Sequence, residues 1–174
     1  FNNTPSAYVQ AGFAETLLRS CFRYGKIAYQ DPTNYEARAN LMWTSSLAIN
    51  GILNLGCPVA WCVHPMEHGE GLAILTPNWM EYVLSDKTVD RFVQYGVNVW
   101  GIDSSLEKFD IAHKAIEKTR AFFQELNIPS TLREVGIGEE KLEIMAKKAA
   151  SMVLEHAYVP LDEKDVLAIY RASL

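Results

Sequence analysis

Apolar residues recur at helical spacing along almost the whole chain, and no run of alternating β-branched residues interrupts them. Ala14, Leu17, Leu18, Cys21 and Phe22 keep the i, i+3, i+4, i+7 rhythm of a buried helical stripe. Asp31-Pro32 ends that helix, because the residue before a proline leaves the α region. Thr33-Asn34-Tyr35-Glu36 reads as a capping box, Thr33 accepting from a first-turn amide and Glu36 reaching back. It opens a long helix to Leu55, whose inner face is carried by Tyr35, Ala39, Met42, Trp43, Ser46, Leu47, Asn50 and Leu53, and which Gly56 stops. Residues 57–68 are irregular. A buried helix follows over Leu72–Leu84, with Pro77 as a kink or broken start. Thr88–Trp100 is the next, turning Val89, Phe92, Val93 and Val97 inward. Ser104-Ser105-Leu106-Glu107 is a second capping box, opening a helix to about Asn127 with Phe109, Ile116, Phe122, Phe123 and Leu126 as core. Ile128-Pro129-Ser130 breaks it; Glu139–Glu155 is amphipathic, and Asp162 caps a last short helix to Leu174. The pattern predicts one all-α domain over residues 1–174, an array of roughly seven helices.

Composition narrows the function classes. The hydrophobic fraction is 49% and the charged fraction 21%, the balance of a soluble globular protein. Net charge is −5 with no basic block, so nucleic acid is not an expected partner. The apolar stretches are too short and too interrupted to span a bilayer. Cys21, Cys57 and Cys62 have no disulfide-framework spacing, and Cys57-x4-Cys62 before His64 fits no structural zinc pattern; reduced thiols of a cytoplasmic protein are expected. Gly69-Glu70-Gly71 lacks the third glycine and the preceding strand of a nucleotide fingerprint. Phe1-Asn2-Asn3-Thr4-Pro5 is neither an initiator methionine nor a signal peptide, and is read as the continuation of a longer chain.

Chemistry concentrates in Val63-His64-Pro65-Met66-Glu67-His68-Gly69-Glu70-Gly71, which holds two of the four histidines. Imidazole and carboxylate beside an apolar stretch point to metal binding, proton transfer or both. As a bare motif, His64-Pro65-Met66-Glu67-His68 matches the H-x-x-E-H of a zinc hydrolase, in which both histidines hold one ion and Glu67 is the general base. Pro65 pushes His64 out of helical geometry, and Gly69 and Gly71 are expected to stop any helix after one turn. The plainer alternative is a pair of hydrogen-bonded core histidines. A non-enzymatic helical module that dimerises or binds a partner is a third reading. His113, on a helix rich in Lys and Glu, reads as solvated, and His156 as a helix end. Asp103, Asp110, Glu139 and Glu140 read as caps or solvated charge.

Three stretches together resemble a known family: Asn34-Tyr35-Glu36-Ala37-Arg38-Ala39-Asn40-Leu41-Met42-Trp43, then Trp61-Cys62-Val63-His64-Pro65-Met66-Glu67-His68, then Gly71-Leu72-Ala73-Ile74-Leu75-Thr76-Pro77. They are similar to the iron-containing alcohol dehydrogenases, in particular the NAD(P)H-dependent butanol dehydrogenase branch. The resemblance continues through Phe122-Phe123 with Leu126-x-Ile128-Pro129 and the ending Asp165–Tyr170. It implies the carboxy-terminal metal-binding domain of a dehydroquinate synthase-like fold, without the amino-terminal α/β domain that binds the nicotinamide. It implies a divalent ion, Fe2+ or Zn2+, which polarises the substrate oxygen, and hydride transfer between NAD(P)H and a short-chain alcohol or aldehyde. It implies a homodimer. By the same resemblance His64 is a metal ligand. His68 matches the nicotinamide-side, proton-relaying histidine by the residues before it, and the last metal-ligand histidine by the residues after it. In relatives about ten residues of loop separate those two histidines, and here that loop is missing. With two ligands at most, the chain as written is expected to be inactive alone.

Overall fold

The computed structural model describes residues 7–49, 68–151 and 157–174, and every regular element among them is helical, as the periodicity predicts. Helix α1 spans Tyr8–Gln30, α2 Tyr35–Ile49, α3 His68–Val83, α4 Val89–Trp100, α5 Lys108–Glu125, α6 Leu142–Ala150 and α7 Glu163–Ala172. Single 3-10 turns lie at Arg133–Val135 and Glu139–Lys141, so the helix predicted from Glu139 starts as a tighter turn. The predicted extensions to Leu55 and Glu155 lie outside the described residues. None of the described helices is long and apolar enough to cross a membrane.

The described residues fall into two compact units. One comprises residues 68–88, 116–151 and 157–174; the other comprises residues 7–49 and 89–115. In the latter, α1 packs against both α2 and α4. Polar contacts fix the packing: Thr44 donates to the Ser20 hydroxyl at 2.8 Å, and the Glu15 carboxylate accepts from Gln94 at 2.7 Å and Asn98 at 3.0 Å. Phe22 stacks on Trp100 with ring centroids 4.1 Å apart. Val93, Tyr95, Val97, Trp100 and Leu106 surround the buried Ile102, Ile111 and Ala115. Gly101, at φ +64°, ends α4 in the left-handed conformation that only glycine adopts freely, and the chain folds back so that Ile102 donates to the Gly96 carbonyl at 3.1 Å. In the former unit, α7 packs against α3 and α6, and Ile74, Met80, Ile116, Leu132, Leu142 and Tyr170 are buried.

Several expectations are corrected. The cap of α2 is Asn34, whose side-chain oxygen accepts from the Ala37 amide at 3.0 Å; the Thr33 hydroxyl instead donates to Asp31, and Glu36 accepts from the Tyr24 phenol. On α2 the buried residues are Ala37 and Thr44; of the predicted inner face Ala39 and Leu47 are half-buried, as Leu41 is, Tyr35, Met42 and Trp43 are 85%, 70% and 69% exposed, Ser46 is exposed, and Asn50 and Leu53 lie outside the described residues. Glu107, not Ser104, caps α5 by accepting from the Phe109 amide at 2.9 Å. Leu18 is exposed while Leu17 is buried. Gly69 and Gly71 do not stop a helix; both lie in the first turn of α3, where each costs at most about 1 kcal/mol relative to alanine. The Asp162 cap is as expected, its carboxylate accepting from Lys164 and Asp165 and the Asp165 carboxylate reaching back. The break at Ile128 is prepared by Asn127 at φ 54°, with Ile128 donating to Phe123 and Asn127 to Gln124, a left-handed helix end.

Candidate functional site

Of the predicted site residues, His68 is the first residue of α3, while His64 and Glu67 lie outside the described residues. So do Cys57, Cys62 and His156. The structure shows how the helix that starts at His68 is held.

Its inner face is apolar: Ala73, Ile74, Leu75, Met80 and Val83 are all buried. Pro77 lies inside the helix and is itself buried, removing the amide that would bond the carbonyl four residues back. The next residue, Asn78, ties this turn to its surroundings. Its amide nitrogen donates to the Ile74 carbonyl at 3.0 Å and to the Ser173 hydroxyl at 2.9 Å. Ser173 is buried, donates onward to the Ile169 carbonyl at 2.8 Å, and its own carbonyl accepts from the Leu132 amide at 2.8 Å. Both terminal nitrogens of Arg120 lie 3.4 Å from the Asn78 side-chain oxygen, which brings α5 to the same point at long hydrogen-bond range. One turn further on, the Tyr82 phenol donates to the Asp165 carboxylate at 2.6 Å, and that bond pushes the phenol above its ordinary range. Helix α3 is therefore pinned by apolar burial along one side and by a side-chain network to α7.

Asn78, Ser173 and Arg120 do not emerge from the sequence reading. The signal was an asparagine directly after a proline in an otherwise apolar helical run, a position that is occupied by a polar residue only when it has partners.

The chemistry available to the described residues is limited. No three His, Cys, Asp or Glu side chains among them converge as ion ligands, and a catalytic ion takes at least three from the protein. The described residues alone therefore do not fit a metal ion. Cys21, on α1, has its thiol raised above the ordinary range by burial, which disfavours the thiolate that binds metal. His113 is exposed on α5, as expected.

Comparison with known proteins supplies the context. The family model described as the Fe-containing alcohol dehydrogenase family, C-terminal, matches residues 1–174. The NADH-dependent butanol dehydrogenase A of Clostridium acetobutylicum is 54% identical over 185 residues, covering 99% of this chain and 48% of that protein. The NADPH-dependent aldehyde reductase YqhD of Escherichia coli is 32% identical over 90% of this chain and 42% of its own length. Among solved structures, the NADH-dependent butanol dehydrogenase A of Thermotoga maritima superposes with a TM-score of 0.83 at 25% identity, over 95% of this chain and 46% of that one. The chain thus spans about half the length of the relatives it matches. The 185-residue match to the Clostridium protein is longer than the 174 residues present, so that protein carries residues opposite gaps in this chain.

Proposed function

Because the chain belongs to the Fe-containing alcohol dehydrogenase family, we propose that it is the metal-bearing helical half of a two-domain NAD(H)-dependent dehydrogenase that interconverts a short-chain aldehyde and its primary alcohol, such as butanol. The carrying observation is the match of the carboxy-terminal family model to every residue of the chain. In this reading residues 1–174 act as a single metal-binding domain in a soluble, homodimeric enzyme, and the nicotinamide is bound mainly by the other half. The reaction exchanges one hydride between the nicotinamide and the carbonyl carbon, and one proton at the substrate oxygen.

His64 contributes one ligand to a divalent ion, Fe2+ or Zn2+. His68 serves as a further ligand or as the group that moves the proton. The pinning of α3 supports this assignment, since a residue that holds an ion or proton donor at a fixed distance must sit on an immobile element. The excess length of the matched Clostridium segment supports a loop that relatives carry and this chain lacks, which the sequence reading places after Glu67-His68.

The test uses the full-length polypeptide. NADH oxidation with butanal, together with metal content, is measured for the wild type and for His64→Ala. Butanal-dependent oxidation in the wild type, and loss of both metal and activity in the variant, are expected. A full-length protein that binds metal but shows no nicotinamide-linked activity with any short aldehyde overturns the reading. The 174-residue chain alone is expected to be inactive.

A further inference from the structure

Helix α3 contains a break, and one side chain spans it. Pro77 has no amide to give the Ala73 carbonyl, and its ring crowds that carbonyl. One of the backbone bonds that would join the first half of the helix to the second is therefore lost. The next residue compensates. The Asn78 side-chain nitrogen, downstream of the break, donates to the Ile74 carbonyl upstream of it at 3.0 Å. The same nitrogen donates to the Ser173 hydroxyl at 2.9 Å, so both of its hydrogens are used. The amide oxygen faces both terminal nitrogens of Arg120 at 3.4 Å. Ile74, Pro77 and Ser173 are all buried, so water is a poor substitute for these partners.

Burial of Ala73, Ile74 and Leu75 holds the first half of α3 against the core, but apolar attraction has no direction and leaves that half free to tilt about the break. Hydrogen bonds are directional, and the Asn78 amide fixes the tilt against the end of α7 and against α5. The first turn adds little order of its own, since it contains Gly69 and Gly71, and glycine is the weakest helix former after proline. The lever is long. At 1.5 Å per residue the start of the helix lies about 15 Å from Asn78, so a change of about 10° in the proline kink displaces His68 by roughly 2–3 Å. A misplacement of about 1 Å can already cost about a hundredfold in rate.

We propose that Asn78 is a positioning residue: its amide sets the tilt of the first turns of α3, and through that helix the place of His68. The part that His68 takes in the reaction rests on the proposed dehydrogenase function, whereas the hold across the break does not.

The test compares wild type, Asn78→Ala and Ser173→Ala in the full-length polypeptide, each at a temperature where its helical circular dichroism is complete. Amide hydrogen exchange, read by mass spectrometry, is expected to accelerate about tenfold over residues 71–76 in Asn78→Ala and to stay unchanged in α6. With butanal and NADH, kcat per bound metal ion is expected to fall about tenfold or more while KM stays within about twofold. Ser173→Ala, which keeps the bond to Ile74, is expected to show the same changes at smaller size, and it decides the matter if Asn78→Ala does not fold. A merely structural asparagine would lower the melting temperature and leave kcat per bound metal ion as it was; that result overturns the proposal. So does exchange over residues 71–76 that is unchanged, or that accelerates equally in α6. A wild type without butanal-dependent NADH oxidation removes the dehydrogenase reading instead, and hydrogen exchange alone then decides whether Asn78 holds the start of α3.

Discussion

Gly96 shows how tightly one atom can be specified. A Cβ there would lie 2.7 Å from the Ile111 Cγ2, 3.2 Å from the Ile111 carbonyl oxygen and 3.3 Å from the Ile102 Cδ1. Alanine gains about 1 kcal/mol of helix propensity over glycine, but overpacking a core costs about 1–3 kcal/mol, and here one obstacle is backbone. Gly96→Ala is expected to be a net destabilisation, read as a lower urea midpoint at unchanged slope. At Ser173, alanine would leave one Asn78 N–H without its acceptor in a buried setting. Chemical denaturation of Ser173→Ala is expected to show a loss of about 1–2 kcal/mol. The turn and cap carboxylates make a third case. Asp31, Asp103 and Asp162 are held below the ordinary carboxylate range, chiefly by the Thr33 hydroxyl, the Ser105 amide and the Asp165 amide respectively. Each folded-state pKa lies below its unfolded value, so the stabilisation is complete above about pH 4 and is lost as pH falls through the folded values. Thermal midpoints are expected to drop in that acid window, and Asp162→Asn to flatten part of the drop. A variant with an unchanged acid limb would remove Asp162 from this account.

At the scale of elements, the sequence announces helices well and their edges less well. Apolar periodicity located α1, α3, α4 and α5 because their core faces are repeated over several turns. The caps of α2 and α5 were displaced by one to three residues, because Thr33, Asn34 and the Ser104–Glu107 run all offer suitable oxygens and only the backbone decides which is used. On α2 the predicted face is right at Ala39 and Leu47, which are half-buried, and wrong at Tyr35, Met42 and Trp43; apolar residues lie on more than one side of this helix, and the buried Thr44 is held by a bond to Ser20 that is invisible in the sequence. Gly69 offers a check on α3. It lies in the first turn at ordinary backbone angles, and a Cβ there would meet nothing within 4 Å. Gly69→Ala is expected to raise stability by roughly 0.5 kcal/mol, chiefly by restricting the unfolded chain. A fall in the thermal midpoint would mean that this turn does not hold its helical geometry. Of the candidate site, the sequence singles out His68, which the structure places as the first residue of α3; the Asn78–Ser173 anchor was not legible, because its partners lie 95 positions apart in the chain.

For the whole molecule, the path of the chain matters more than its helix count. It leaves the α1–α2 unit, enters the unit containing α3, returns at Val89, and crosses again at Ile116 partway along α5. Neither unit is a continuous stretch of sequence. A single proteolytic nick consequently cannot liberate either one intact, and no deletion from one end removes one while sparing the other. Helix α5 belongs to both, so a cut within it breaks two cores at once. Recombination between relatives at Val89 or at Ile116 would therefore separate segments that belong to one compact unit.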